Sequence, residues 1–239
     1  MDELFIRGFY ISWDEIDKDN YLNDIEAISN INEYHFNKPV TFFVGENGSG
    51  KSTLLEAIAL AYGFNGEGGT KNYRFSTYDS HSDLYKHMTL IKSGLRPKHN
   101  YFLRAESFYN VATKENEYQN AAGGKPLFLH EKSHGESFLE VFRENFVGNG
   151  LYLLDEPEAA LSPSRLMTLL IEIDRCAKDG AQFIIATHSP ILLSYPDSDI
   201  ITFDDGLIHK INYEDTSSYK IIKMFINDKE RIIKNLLEK

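Results

Sequence analysis

Apolar residues in this chain fall into two kinds of run. The first kind is short and free of charge: 40–44 (Val-Thr-Phe-Phe-Val), 151–154 (Leu-Tyr-Leu-Leu) and 183–186 (Phe-Ile-Ile-Ala). Such runs predict strands buried on both faces. Residues 4–13 and 101–105 predict two more strands. The second kind has helical spacing. Residues 53–61 are rich in helix formers, and 137–147 carry apolar side chains at 138, 139, 142 and 146. After Ser162, Pro163 opens a helix whose stripe is Leu166, Leu169, Leu170, Ile173 and Ala177. Residues 200–203 and 207–211, joined by Asp204-Asp205-Gly206, predict a hairpin, and 217–238 a terminal helix. Residues 20–38 are polar and read as irregular. Alternation of strand and helix predicts an α/β fold with a mainly parallel sheet flanked by helices.

At 239 residues the chain suits one domain, 1–239, with a small inserted lobe at about 70–148 and an N-terminal antiparallel β part. Asp2 and Glu3 stand where a signal peptide has basic residues. No apolar run approaches the roughly 18 residues that span a bilayer. These features predict a soluble, cytoplasmic protein without membrane insertion. Cys176 is the sole cysteine, which excludes an intrachain disulfide and a cysteine-based zinc site and leaves a packing role.

The net charge of −11 argues against a protein that coats nucleic acid over its whole surface. Charge is uneven, however. Lys71, Arg74, Lys86, Lys92, Arg96, Lys98 and Arg104 face only Asp79 and Asp83 over residues 71–104. Tyr73, Phe75, Tyr78, Tyr85 and Tyr101 interleave with them. Basic residues among aromatics can track a nucleic-acid backbone and stack its bases, and they equally describe a solvated surface over a small core.

The densest chemistry lies in Gly45-Glu46-Asn47-Gly48-Ser49-Gly50-Lys51-Ser52, which fits the phosphate-binding pattern G-x-x-x-x-G-K-[ST]. It sits between a predicted strand and a predicted helix, the order the motif needs. The glycines let backbone N–H groups turn toward phosphates, Lys51 adds a cation, and the Ser52 hydroxyl can ligate Mg²⁺. Thr53 continues into a helix whose positive end faces the same anion. A glycine turn joining strand to helix is the plainer alternative.

A second pair of groups completes the picture. Asp155 and Glu156 end a buried strand run, where ligands bind in open α/β sheets. Asp155 would share the Mg²⁺ shell with Ser52, and Glu156 would orient or deprotonate the attacking water.

With these residues the chain resembles the ABC-type ATPase superfamily, in its soluble branch. That branch holds structural-maintenance-of-chromosomes, recombination and break-repair ATPases and small AAA-like ATP-binding proteins without a coiled coil. The resemblance covers nearly the whole chain and implies a P-loop ABC-type ATPase domain that binds ATP and Mg²⁺. Ser133-His134-Gly135-Glu136 occupies the place of the family's signature loop, Ser-Gly-Gly-Gln. The resemblance implies that Ser133, Gly135 and Glu136 cap the nucleotide of a partner subunit; Ser133 with Glu136 three residues later also fits a helix capping box. His188, in Thr187-His188-Ser189-Pro190, resembles the switch histidine that contacts the γ-phosphate. Where the family carries a glutamine near Mg²⁺, this chain has Arg104-Ala105-Glu106-Ser107, which makes Glu106 the replacement ligand. Trp13, Tyr21, Tyr34 and Phe36 are all candidates for the adenine contact.

The implied activity is ATP hydrolysis with ATP-dependent homodimerisation. The expected setting is genome maintenance or defence against mobile elements, with nucleic acid at lobe 71–104 or an effector protein as further candidate partners. The alternatives are a nucleotide-binding subunit of a membrane transporter and a low-turnover regulatory switch.

Overall fold

The computed structural model describes residues 4–66, 68–69, 82–104, 139 and 142–237. In chain order its strands are β1 (Ile6–Ile11), β2 (Glu33–His35), β3 (Val40–Val44), β4 (Met88–Lys92), β5 (His99–Arg104), β6 (Gly150–Asp155), β7 (Gln182–Ala186), β8 (Ser198–Thr202) and β9 (His209–Ile211). Its helices are α1 (Glu26–Ser29), α2 (Lys51–Tyr62), α3 (Pro163–Lys178), α4 (Pro190–Leu193), α5 (Ser217–Asn227) and α6 (Lys229–Leu237).

The charge-free runs form the middle of a six-stranded sheet of order β5-β6-β7-β3-β8-β9. Strands β5 through β8 in that order pair in parallel, and β9 closes one edge as the predicted antiparallel hairpin with β8. Every residue of β3, β6 and β7 is buried, which explains why these strands show no polar alternation. Phe42, Tyr152, Leu154, Phe183 and Ile185 face a core covered by Leu166, Leu169 and Ile173 of α3. Phe43, Leu153 and Ile184 face a second core with Leu54, Leu55 and Ile58 of α2.

The expected N-terminal antiparallel part is a three-stranded sheet of order β2-β1-β4. Its β1 residues Ile6, Phe9 and Ile11 join the second core. Gln182, at the start of β7, ties the two sheets: its amide accepts the Ile6 N–H at 2.9 Å and donates to the Ile6 carbonyl at 2.8 Å. Two expectations change here. The segment 20–38, read as irregular, contains the Tyr21–Asp24 turn, α1 and β2. Part of the basic segment read as a mixed insertion supplies β4, which pairs with β1.

The predicted terminal helix is two helices. Asp228 leaves helical geometry (φ −141°, ψ 43°), and its carboxylate holds Arg231 at 2.5 Å in the first turn of α6. No residue of α5 or α6 is buried.

Tyr152 shows how the core handles a polar group. Its hydroxyl accepts the Val147 N–H at 2.9 Å and donates to the Val147 carbonyl at 2.8 Å. Burial pushes its phenol well above the ordinary value of 10.0. The folded chain therefore holds this proton more tightly than the unfolded chain. The resulting stability is complete below pH 10 and is lost as pH rises above it. Tyr152→Phe is expected to lower stability by about 1–2 kcal/mol at pH 8 and to flatten the alkaline fall, as read from urea midpoints between pH 8 and 11.

Candidate functional site

The carboxyl ends of β3, β6, β7 and β8 meet along one edge of the parallel sheet, where open α/β sheets place their ligands. Each strand releases one group there. β3 leads into the loop 45–52, β6 into Glu156, β7 into Thr187 and His188, and β8 into Asp204.

The loop needs its glycines for two different reasons. Gly45 has φ 147°, and a Cβ there would lie 2.9 Å from Ser49 Oγ. Gly50 has φ 100°, and its Cβ would meet Ile28 Cγ1 at 2.5 Å, because α1 packs directly on the loop. Only a residue without Cβ fits either place. Helix α2 then begins at Lys51, so that Lys51, Ser52 and Thr53 form its first turn and their N–H groups face out of its amino end.

Lys51 is buried, and its Nζ donates to the carbonyls of Gly45 (2.8 Å) and Glu46 (2.7 Å). Burial lowers its pKa; the charges of Glu156, Asp204, Asp155 and Glu158 act the other way. One ammonium thus stands among four carboxylates. Ser52 Oγ donates to Asp155 Oδ1 at 2.8 Å, joining two groups 103 positions apart in sequence. Glu156 adopts a left-handed backbone conformation (φ 48°, ψ 52°), fixed by its N–H bond to Ala186 O at 2.9 Å. Non-glycine residues held there are strained, a condition that clusters at functional sites. Its half-exposed carboxylate lies 3.9 Å from His188 Nε2. His188 Nε2 and Ser49 Oγ are buried atoms with no hydrogen-bond partner among the described residues.

Two acidic residues that the sequence reading missed hold this arrangement. Asp204 Oδ1 accepts the Glu46 N–H at 2.9 Å, and Oδ2 accepts the Thr202 hydroxyl at 3.2 Å, so β8 fixes the loop entrance. Glu158 accepts hydrogen bonds from Thr187 and His188. The only sequence signal for either was position: Asp204 follows a strand end, and Glu158 lies two residues beyond Glu156. A groove of about 410 Å³ opens beside the loop, lined by Glu46, Asn47, His188, Asp204, Ser217 and Ile221. The first turn of α5 was likewise not anticipated as part of the site.

Other expected residues separate. Tyr34 and Phe36 pack on each other at 5.1 Å between ring centres and belong to the second core. The Trp13 indole N–H donates to Ile31 O at 2.7 Å, while Tyr21 is exposed at the head of the turn that packs against α1. In the basic segment, Tyr101 is buried in the main core. Arg104 pairs with Glu56 at 2.6 Å, since that largely buried carboxylate requires a cation. Neither offers the open surface that a nucleic-acid contact needs. Lys92 lies 4.8 Å from the Tyr62 ring centre and lines a separate groove with Arg96. Ser133, Gly135, Glu136 and Glu106 lie outside the described residues, as do Lys71, Arg74, Tyr73, Phe75 and Tyr78.

A family model described as "AAA domain" matches residues 21–146, more than half of the chain. A second, described as "AAA domain, putative AbiEii toxin, Type IV TA system", matches residues 127–194. The ribose import ATP-binding protein RbsA of Bacillus cereus (strain ZK / E33L) is 26% identical over 204 residues, covering 77% of this chain and 41% of that protein. The phosphate import ATP-binding protein PstB 1 of Vibrio vulnificus is 26% identical over 175 residues, covering 63% of this chain and 64% of that protein. The chain spans less than half the length of the RbsA relatives it matches. Among solved structures, the SMC head domain from Thermotoga maritima shares 16% identity over 87% of this chain and 99% of that one, with a TM-score of 0.46. The ADP conformation of MJ1267, an ATP-binding cassette of an ABC transporter, shares 19% identity over 86% of this chain and 91% of that one, with a TM-score of 0.43. By the family match across residues 21–146, which includes the loop 45–52 at the end of β3, this chain belongs to the AAA domain family.

Proposed function

We propose that this chain binds ATP with Mg²⁺, hydrolyses it, and closes on a second copy of itself while ATP is bound. The observation that carries the reading is the 2.8 Å bond between Ser52 Oγ and Asp155 Oδ1. It brings together two hard oxygen donors of the kind Mg²⁺ takes alongside phosphate oxygens and water. Four carboxylates around Lys51 would repel a polyphosphate, and a divalent cation bound there would neutralise that excess.

Each group then has a task. Lys51 and the amides of Asn47, Gly48, Gly50, Lys51 and Ser52 hold the phosphates, and the buried Ser49 Oγ and His188 Nε2, which have no partner among the described residues, are further groups for the nucleotide. Glu156 orients the attacking water and takes its proton. A second copy would bring Ser133, Gly135 and Glu136 over the nucleotide, with Glu106 near Mg²⁺. The domain assignment follows: 1–239 as one ATPase domain with a signature lobe at about 70–148.

We place the activity in genome maintenance or defence against mobile elements; the second family description, which names a toxin system, supports the latter. The importer names of the curated relatives support a second reading, a subunit that energises transport through a membrane partner. Among the described residues no helix is long and apolar enough to cross a membrane.

Wild-type protein is expected to release phosphate from ATP with Mg²⁺, and to double its mass by light scattering with ATP but not with ADP. Binding without phosphate release would leave a regulatory switch. Co-purification with an integral membrane protein would favour the transport reading. Stimulation by DNA or RNA that disappears when Lys92, Arg96 and Lys98 are neutralised would assign nucleic acid to that lobe.

A further inference from the structure

The turn Pro157–Ala160 that follows β6 is fastened to the end of β7 by one side chain. Glu158 Oε2 accepts the Thr187 hydroxyl at 2.8 Å, and Oε1 accepts the His188 backbone N–H at 2.5 Å. The Thr187 oxygen in turn accepts the Ser189 N–H at 3.0 Å, and the Ser189 hydroxyl caps α4 at Leu192. Both carboxylate oxygens are thus committed to two consecutive residues, one of them the histidine whose Nε2 lies 3.9 Å from Glu156. Glu156 is itself anchored to Ala186 of the same strand end. Beyond the β6–β7 pairing and the Glu156 anchor, Glu158 is the side chain that ties the turn after β6 to Thr187 and His188.

We propose that Glu158 is a positioning residue of this site: by gripping Thr187 and the His188 amide, it sets where the His188 imidazole stands relative to Glu156 and the γ-phosphate. This rests on the ATPase reading above. A carboxylate is suited to the task because it accepts twice and donates nothing. Charge also shortens and strengthens both bonds. Without it, the Thr187 hydroxyl and the His188 N–H lose their acceptors, and the backbone between them is free to turn. A displacement on the order of 1 Å in a reacting group can lower a rate about a hundredfold.

The test combines kinetics with amide exchange. In Glu158→Ala, kcat for ATP is expected to fall between about tenfold and a hundredfold with KM within about twofold. His188→Ala is expected to lower kcat, and adding Glu158→Ala to it to cause no further loss, because the first residue acts through the second. Glu158→Gln, which keeps one acceptor, is expected to recover part of the rate. The His188 amide is expected to exchange faster in Glu158→Ala and to slow again in Glu158→Gln. Should Glu158→Ala fail to fold, Thr187→Val removes half of the grip and is expected to give a smaller loss of kcat. Additive losses in the double variant, or unchanged His188 exchange in Glu158→Ala, would overturn the proposal. If wild type releases no phosphate, the ATPase reading and the kinetic role fail together, whereas failure of the cycle in an active enzyme removes Glu158 alone.

Discussion

Glu156→Gln is expected to lower the rate of phosphate release by about 10²–10⁴-fold, the range a positioned proton acceptor contributes, while ATP stays bound. The amide has the shape of the carboxylate, so it can occupy the left-handed position at φ 48° as Glu156 does, with its N–H on Ala186 O. It cannot take a proton from water. Trapped before hydrolysis, the variant is expected to accumulate as an ATP-bound dimer, read by light scattering and by single-turnover phosphate release. Wild-type turnover in this variant would remove Glu156 from the chemistry. Rapid hydrolysis by a monomer would remove the second subunit.

The second large effect is expected at Lys51. Lys51→Met deletes the one cation on the loop 45–52 and should weaken ATP binding by roughly a hundredfold or more, since hydrogen bonds to charged groups contribute about 1.5–3 kcal/mol each. Stability should move in the opposite direction. Burial holds the Lys51 pKa below its ordinary 10.5, so the folded chain binds this proton less tightly than the unfolded chain. A charged Lys51 therefore opposes folding across the neutral range, and that opposition fades only as pH climbs from the lowered value toward 10.5. Methionine keeps the stem and removes the charge. The carbonyls of Gly45 and Glu46, at a loop with exposed residues, can turn to water. A urea midpoint at pH 7 equal to or above wild type, together with lost ATP binding by calorimetry, is the expected pair of results. A large fall in the midpoint would mean that the two carbonyl bonds outweigh the desolvation of the charge.

The residues that proved legible are those whose chemistry is local. The loop 45–52 announces itself because left-handed glycine positions, a following lysine and a helix start all lie within eight consecutive residues. Asp155 and Glu156 were readable because a charge-free run ends at them. Glu158 and Asp204 were not, although their charges also act on Lys51, because their partners lie 30 and 158 positions away at His188 and Glu46. Tyr101 and Arg104 were misleading for the same reason. Nothing adjacent to Tyr101 or Arg104 announces that one lies inside the main core and the other against Glu56, 48 positions earlier.

The sequence by itself determined the buried strands β3, β6 and β7, the helices α2 and α3, and where the phosphate loop lies, because backbone conformation and burial on both faces are written in neighbouring residues. Only the tertiary structure decided that β3 runs between β7 and β8 with β6 one strand further. That order brings Ser52 to Asp155, Glu158 to His188 and Asp204 to Glu46. Hydrogen bonds act over about 3 Å, so their partners are chosen by which strand ends become neighbours, a property of the assembled sheet.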